Sequence, residues 1–213
     1  MEAGARNESS EPLANEMDCA IVKVETEFAM RLAGKIAIVV GAGQSPGEGL
    51  GNGRATVLRF AQEGAKVLAV DRDLASAEET AALAVKDGGA CVAFEADVTD
   101  ERTLAAAVGE ARRRWGRVDI LHYNVGVSIG GGDAPLAEIS EAVFDRICAI
   151  NLRGAVMAAK HVVPVMREQR SGAIINISTF AAFEPDPVTV SPPEQPAPVP
   201  PTDKEPEPAA QSR

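Results

Sequence analysis

The 213-residue chain has few of the side chains that build metal centres: two histidines and three cysteines. Two histidines are too few for a histidine cluster, and Cys19, Cys91 and Cys148 lack the close spacing of thiolate ligands. We therefore expect no metal site. Cys91 and Cys148 lie in apolar patterns, which is typical of buried free thiols in a reducing cytosol, and this predicts a cytoplasmic protein.

The chain also lacks a long apolar run and an excess of basic residues. No apolar stretch approaches the ~18 residues that a membrane span needs. The net charge is −10, but residues 30–183 carry 18 acids and 17 bases, so the acidity belongs to the two ends of the chain. With no basic face, nucleic acid is not an expected partner.

One stretch organises the rest of the sequence: a short apolar run followed by a glycine-rich loop. Residues 36–40 are mostly β-branched, which predicts a strand buried on both faces, as in parallel sheets. The loop contains Gly41, Gly43, Gly47, Gly49, Gly51 and Gly53. Residues 54–63 then have helical spacing and end at Gly64. A strand, a glycine loop and a helix N-terminus can together hold a phosphate, although plain turns also contain glycine and the strict Gly-x-Gly-x-x-Gly spacing is absent.

A second apolar strand, residues 66–70, ends in an acid, Asp71. A carboxylate at this position can accept hydrogen bonds from a ribose 2′-hydroxyl and repel a 2′-phosphate. The alternative is a solvated turn acid. We favour the ribose role because Asp71 lies 20 residues after Gly51, near the offset that dinucleotide sites show.

Strands and helices alternate between residues 35 and 178. We predict further strands at 91–95, 118–123 and 173–178, helices at 74–87 and 101–115, and a long helical segment from a Ser140 cap to about residue 170. Repeated β-α units with short connections predict an α/β fold with a Rossmann-like, doubly wound parallel sheet.

Composition divides the chain into three parts. Residues 1–29 are polar and without sustained periodicity, and they lack the basic start and apolar core of a signal peptide, so we predict a disordered N-terminal extension. Residues 30–183 form the predicted α/β domain, for which the resemblance given below implies NAD(P) binding. Residues 184–213 contain ten of the 14 prolines and are predicted to be a disordered tail.

Six motifs in order resemble the short-chain dehydrogenase/reductase family over about residues 32–183. They are Val40-Gly41-Ala42-Gly43 with Gly51-Asn52-Gly53-Arg54-Ala55, Asp71, Asp97-Val98, Tyr123-Asn124-Val125-Gly126, Asn151, and Asn176-Ile177-Ser178-Thr179. The resemblance implies a dinucleotide cofactor and hydride transfer between a nicotinamide and a small alcohol or ketone.

The resemblance also assigns roles by position. The glycines at Gly41, Gly43, Gly49, Gly51 and Gly53 would line the pyrophosphate; residues 44–49 look like an insertion, and either Gly49 or Gly51 is the middle glycine. Asp71 would bind the adenosine ribose, which implies NAD, while the neighbouring Arg72 leaves NADP open.

Further implied site residues follow the later strands. Asp97 and Val98 would contact adenine, and Asn124 and Gly126 match the motif after the fourth strand, from which Tyr123 and Val125 depart. Asn151 would hold a proton-relay water at a distorted helical turn, and Thr179, with Ser178 before it, takes the place of the substrate-orienting serine. The helix at 152–169 would serve as the interface of a homo-oligomer.

One family feature is missing: the tyrosine and lysine spaced Tyr-x-x-x-Lys that supply the catalytic acid. The only tyrosine is Tyr123, and the only lysine beyond residue 160 is Lys204. The sequence therefore predicts a short-chain oxidoreductase truncated after its fifth strand and impaired in catalysis. Two alternatives stay open: a non-catalytic nucleotide-binding module, and a non-functional truncation or frameshift product.

Overall fold

The computed structural model describes residues 30–44, 47, 49–128, 132 and 134–178. The predicted extension at 1–29, the tail at 184–213 and Thr179 lie outside the described residues. The helices and strands, in chain order, are β1 (Ile36–Val40), α1 (Asn52–Gln62), β2 (Lys66–Asp71), α2 (Leu74–Lys86), β3 (Ala90–Glu95), α3 (Glu101–Trp115), β4 (Ile120–Tyr123), α4 (Glu141–Cys148), a π-helical turn (Ala149–Arg153), α5 (Gly154–Glu168) and β5 (Ala173–Asn176).

The strands form one parallel sheet in the order β3-β2-β1-β4-β5. Val40, the last residue of β1, lies between Val70 of β2 and Tyr123 of β4. The chain therefore returns across the sheet between β3 and β4, which makes the carboxyl ends of β1 and β4 a topological switch point. Ligands of open α/β sheets bind at such a point.

Two buried clusters show that helices cover both faces of the sheet. On one face Ile38, Leu68 and Tyr123 pack with apolar residues of α3 and α5. On the other face Val39 and Val67 pack with apolar residues of α1 and α2. This arrangement confirms the predicted Rossmann-like α/β fold, doubly wound around a parallel sheet.

The structure adjusts several predicted boundaries. β4 begins at Ile120 rather than residue 118, and α1 begins at Asn52, two residues earlier than predicted. The Ser140 cap is present, since its hydroxyl accepts a hydrogen bond from the Val143 N–H at 3.4 Å. The long helical segment is interrupted by the π-helical turn, an irregularity that frequently marks functional sites.

Candidate functional site

The glycine loop brings the N-terminus of α1 against the carboxyl end of β1. A Cβ atom added to Gly53, in the first turn of α1, would lie 1.7 Å from the Gly41 carbonyl oxygen, so only glycine allows this contact. Gly41 itself has a φ of +81° and donates from its N–H to the Val70 carbonyl at 2.8 Å. The first turn of α1, with its backbone N–H groups and partial positive charge, is thereby held at the switch point.

The structure distinguishes the two candidate middle glycines. Gly51 is the N-cap residue of α1, with an extended backbone, and its carbonyl accepts from the Ala55 N–H at 2.9 Å. Gly49 has a φ of +104°, and among the described residues other than its chain neighbours no atom lies within 4 Å of the position of an added Cβ. Gly51 therefore occupies the position that borders the helix, and Gly49 belongs to the turn before it.

Asp71 faces the glycine loop from the end of β2. Its Oδ2 accepts a hydrogen bond from the Gly43 N–H at 2.8 Å, and its Oδ1 accepts one from the Asp73 N–H at 3.1 Å. Carboxylate oxygens can accept more than one bond each, so this half-buried side chain keeps acceptor capacity beside the loop. Asp73 also caps α2 by accepting from the Ser76 N–H. The Ser76 hydroxyl accepts from the Gln44 N–H at 2.7 Å, which joins the first turn of α2 to the same loop.

A cleft opens between the carboxyl ends of β2 and β3. It is lined by Arg72, Asp73, Leu74, Ala75, Glu95, Ala96, Asp97 and Thr103. The N–H and hydroxyl of Thr99 both donate to the Asp97 carboxylate, at 2.8 and 2.7 Å, and these bonds hold the pKa of that carboxyl below its usual range. Val98, next in sequence, is buried. The Asp97 carboxylate, a hydrogen-bond acceptor, thus lies beside the cleft where adenine is expected.

Asn124 and Gly126 follow β4 on the other side of the switch point. The Asn124 side-chain amide donates to the Gly41 carbonyl at 3.3 Å, so it joins the glycine loop to the segment after β4. Gly126 lies near Asn151, whose Oδ1 would be 3.9 Å from an added Cβ. The residues predicted for cofactor contact follow β1, β2, β3 and β4, and they therefore lie together at the carboxyl-terminal ends of the strands.

Asn151 lies in the π-helical turn and is paired with the backbone of Val127. Its Oδ1 accepts from the Val127 N–H at 2.8 Å, and its Nδ2 donates to the Val127 carbonyl at 2.8 Å. This two-bond contact ties the distorted turn to the segment that follows β4. The predicted distortion at Asn151 is thus present in the structure.

From the sequence, Tyr123 was noted only as a departure from the family motif after the fourth strand. In the structure its side chain supports the π-helical turn. Its hydroxyl donates to the Ile150 carbonyl at 2.6 Å. Tyr123 is 1% exposed, and burial together with the nearby Asp97 charge raises its pKa to about 12. Its hydroxyl is therefore a structural donor that stays protonated at neutral pH.

Of the remaining predicted residues, Thr179 lies outside the described residues. Ser178 follows β5 and is exposed. No group of three or more potential metal ligands occurs within the described part of the chain. Cys91 is buried and free, and burial raises the pKa of its thiol to about 12, which excludes it as a nucleophile at neutral pH. The expected cytoplasmic location stays a prediction. Among the described helices none is long and apolar enough to cross a membrane.

Comparisons with known proteins agree with this geometry. The family model described as short chain dehydrogenase matches residues 35–191, eight residues beyond the boundary predicted at 183. The chain is 36% identical over 156 residues to the uncharacterized oxidoreductase YxbG of Bacillus subtilis, covering 73% of this chain and 54% of that protein.

Two solved structures have similar folds. A short-chain dehydrogenase/reductase from Burkholderia xenovorans has 44% identity and a TM-score of 0.67, with 72% of this chain and 59% of that chain covered. A 7α-hydroxysteroid dehydrogenase in complex with NADH and 7-oxo glycochenodeoxycholic acid has 32% identity and a TM-score of 0.65, with 73% and 57% covered. For eight of the curated relatives that it matches, the chain spans between 52% and 61% of the relative's length.

Proposed function

The chain belongs to the short-chain dehydrogenase family, and from that premise we propose that it binds NAD and orients the cofactor for hydride transfer between its nicotinamide and an alcohol or carbonyl carbon. The observation that carries this proposal is the pairing of a glycine-cradled helix N-terminus with the carboxylate of Asp71. Gly53 packs on the Gly41 carbonyl, and Asp71 is hydrogen-bonded to the Gly43 N–H in the same loop.

The chain's own residues fit a dinucleotide along the sheet edge. Backbone N–H groups of the first turn of α1 would hold the pyrophosphate, because helix N-termini bind anions. Asp71 would accept from the ribose hydroxyls, and Asp97 and Val98 would contact adenine. Asn124 and Gly126 would border the nicotinamide half of the site, next to the π-helical turn.

NAD is the proposed cofactor because the Asp71 carboxylate, at the end of β2, is hydrogen-bonded to the Gly43 N–H of the glycine loop. A 2′-phosphate would bring a second negative charge to the position where Asp71 accepts hydrogen bonds. Arg72 is exposed at the adjacent cleft, and a guanidinium there suits a phosphate, so NADP is the competing cofactor.

The bound nicotinamide would carry the hydride, and the chain's residues would orient it and handle the proton. We propose that Asn151, at the π-helical turn, holds a proton-relay water, and that Thr179, with Ser178 before it, orients the substrate. Tyr123 is not the acid: it is buried, its pKa is raised to about 12 and its hydroxyl donates to Ile150. Since the 213 residues contain no Tyr-x-x-x-Lys, we propose that their turnover of alcohols or ketones is impaired.

A second proposal, a non-catalytic nucleotide-binding module, is supported by the same missing pair. Titration of the full chain with NADH, followed by nicotinamide fluorescence, and assays with a panel of alcohols and ketones separate the outcomes. Saturable binding with weak turnover supports the impaired oxidoreductase, and saturable binding with no turnover supports the non-catalytic module. Robust turnover that depends on Asn151 or Thr179 would contradict the inferred lack of an acid, and no NADH binding would refute both proposals.

We also propose that any homo-oligomer forms through the helix at 152–169. Leu152, in the π-helical turn, and Val156, in α5, are 64% and 51% exposed. They border an open groove whose other lining residues include Cys148 and Ala149. Exposed apolar side chains in a groove are typical of interaction surfaces.

A further inference from the structure

Gln44 spans the glycine loop with its side chain. Seven residues, 44–50, separate Gly43 from Gly51 in the sequence. The Gln44 amide nitrogen donates to the Gly49 carbonyl at 3.1 Å, and its amide oxygen accepts from the Gly51 N–H at 2.8 Å. One side chain therefore fixes two backbone positions on the far side of the loop.

The backbone of Gln44 is anchored as well. Its N–H donates to the Ser76 hydroxyl at 2.7 Å, in the first turn of α2. The preceding N–H, that of Gly43, donates to Asp71 at the end of β2. Gln44 thus joins the start of α2 to the start of α1, and Gly43 before it is bonded to the end of β2.

The contact with Gly51 bears on how α1 begins. Gly51 is the N-cap residue and has no side chain that could cap the helix. Its orientation, together with its carbonyl bond to Ala55, determines where the backbone N–H groups of the following turn point. A side chain that holds Gly51 therefore holds the donors that the proposed pyrophosphate site would use.

We propose that Gln44 is a positioning residue for the cofactor pyrophosphate: by bonding Gly49 and Gly51 it sets the first turn of α1 in its binding orientation before the cofactor arrives. The proposal rests on the proposed dinucleotide function. Preorganisation increases affinity because the loop loses less freedom on binding. The proposed role also predicts that a change of Gln44 alters the affinity for ligands that contain a pyrophosphate and not the affinity for ligands that lack one.

The variant Gln44→Met keeps the length of the side chain and removes the amide hydrogen bonds to Gly49 and Gly51. Gln62→Met is the matched control, because Gln62 is an exposed glutamine in the last turn of α1. Gln44→Asn, which keeps the amide but is one methylene shorter, is a second and milder variant. Thermal melting of each full-length variant reports whether the fold is retained.

Affinities for NADH, ADP-ribose and adenosine are measured by fluorescence titration and competition. We expect Gln44→Met to weaken the binding of NADH and of ADP-ribose by the same factor, about tenfold, because the hydrogen bonds to Gly49 and Gly51 are lost. The affinity for adenosine should not change. Gln44→Asn should weaken both in the same direction, and Gln62→Met should match the wild type.

Three results would overturn the role of Gln44: unchanged NADH affinity, an equal loss for adenosine, or tighter NADH binding, which would mean that the side chain blocks the site. These results require a wild-type chain that binds NADH. A wild-type chain that binds neither NADH nor ADP-ribose would instead refute the proposed function.

Discussion

The hydroxyl of Tyr123 donates to the carbonyl of Ile150 across 27 residues of sequence, at 2.6 Å. Ile150 lies in the π-helical turn, where the backbone hydrogen-bond pattern departs from that of the flanking helices. The close approach requires Gly154, because a Cβ there would lie 2.3 Å from the Tyr123 hydroxyl oxygen. The tyrosine of β4, the turn and the first residue of α5 therefore form one packed unit behind the candidate site.

Tyr123→Phe removes only the hydroxyl and leaves the Ile150 carbonyl without this donor. We expect a loss of about 1–2 kcal/mol in the free energy of unfolding, measured by denaturant titration. Thr56→Val is the control, since the Thr56 hydroxyl donates to the Asn52 carbonyl at an exposed position and its loss should have a small effect. Equal stability of Tyr123→Phe and the wild type would show that the hydroxyl does not support the turn.

Asn151→Ala removes both hydrogen bonds to Val127. We expect the Val127 amide proton to exchange with solvent roughly tenfold faster, because its acceptor is lost. Hydrogen exchange followed by NMR measures this directly. The Asn124 amide, which donates to the Val40 carbonyl, serves as the internal reference and should change little. A uniform increase at both sites would indicate general destabilisation rather than loss of this contact.

His122 is expected to make stability depend on pH. It is 6% exposed and packs edge-on against Phe60, with ring centroids 6.0 Å apart. Burial lowers its pKa below the ordinary value of 6.5, so the unfolded chain takes up this proton at a higher pH than the folded protein. The stabilisation is complete above pH 6.5 and is lost as the pH falls toward the folded-state pKa.

The variant His122→Val tests this contribution. Its free energy of unfolding should change less than that of the wild type between pH 7 and about pH 5, above the range where carboxylates dominate. Urea titrations at several pH values give the two curves. Parallel curves would mean that His122 does not contribute to the pH dependence of the free energy of unfolding.

The β5 edge is expected to make the chain self-associate. Every residue of β5 is exposed, and Ile174, Ile175 and Ile177 are 37%, 39% and 46% exposed. Exposed apolar edge strands invite pairing with other chains, and a charged residue on the edge opposes it. We expect Ile175→Lys to lower the weight-average mass in light scattering. The control Val85→Lys, at an exposed position of α2, should not. A wild type that is monomeric at high concentration would contradict this prediction.

The sequence was sufficient to predict the helices and strands and the candidate site residues at the strand ends. The β-branched run at 36–40, the Gly64 and Gly88 helix ends and the position of Asp71 depend on local chemistry, and the fold follows from their alternation. The roles of Gln44 and Tyr123 depend on distant partners. No local pattern shows that a loop glutamine meets Gly51 or that a strand tyrosine meets a carbonyl of a later helix.

The central claim is that Asp71 selects NAD at a glycine-cradled dinucleotide site. The most direct test is titration of the full chain with NADH and NADPH, for the wild type, Asp71→Asn and the exposed control Asp87→Asn. We predict that the wild type prefers NADH, that Asp71→Asn binds NADH roughly tenfold more weakly and loses the preference, and that Asp87→Asn matches the wild type. Tighter binding of NADPH than NADH by the wild type, or an unchanged preference in Asp71→Asn, would contradict the account.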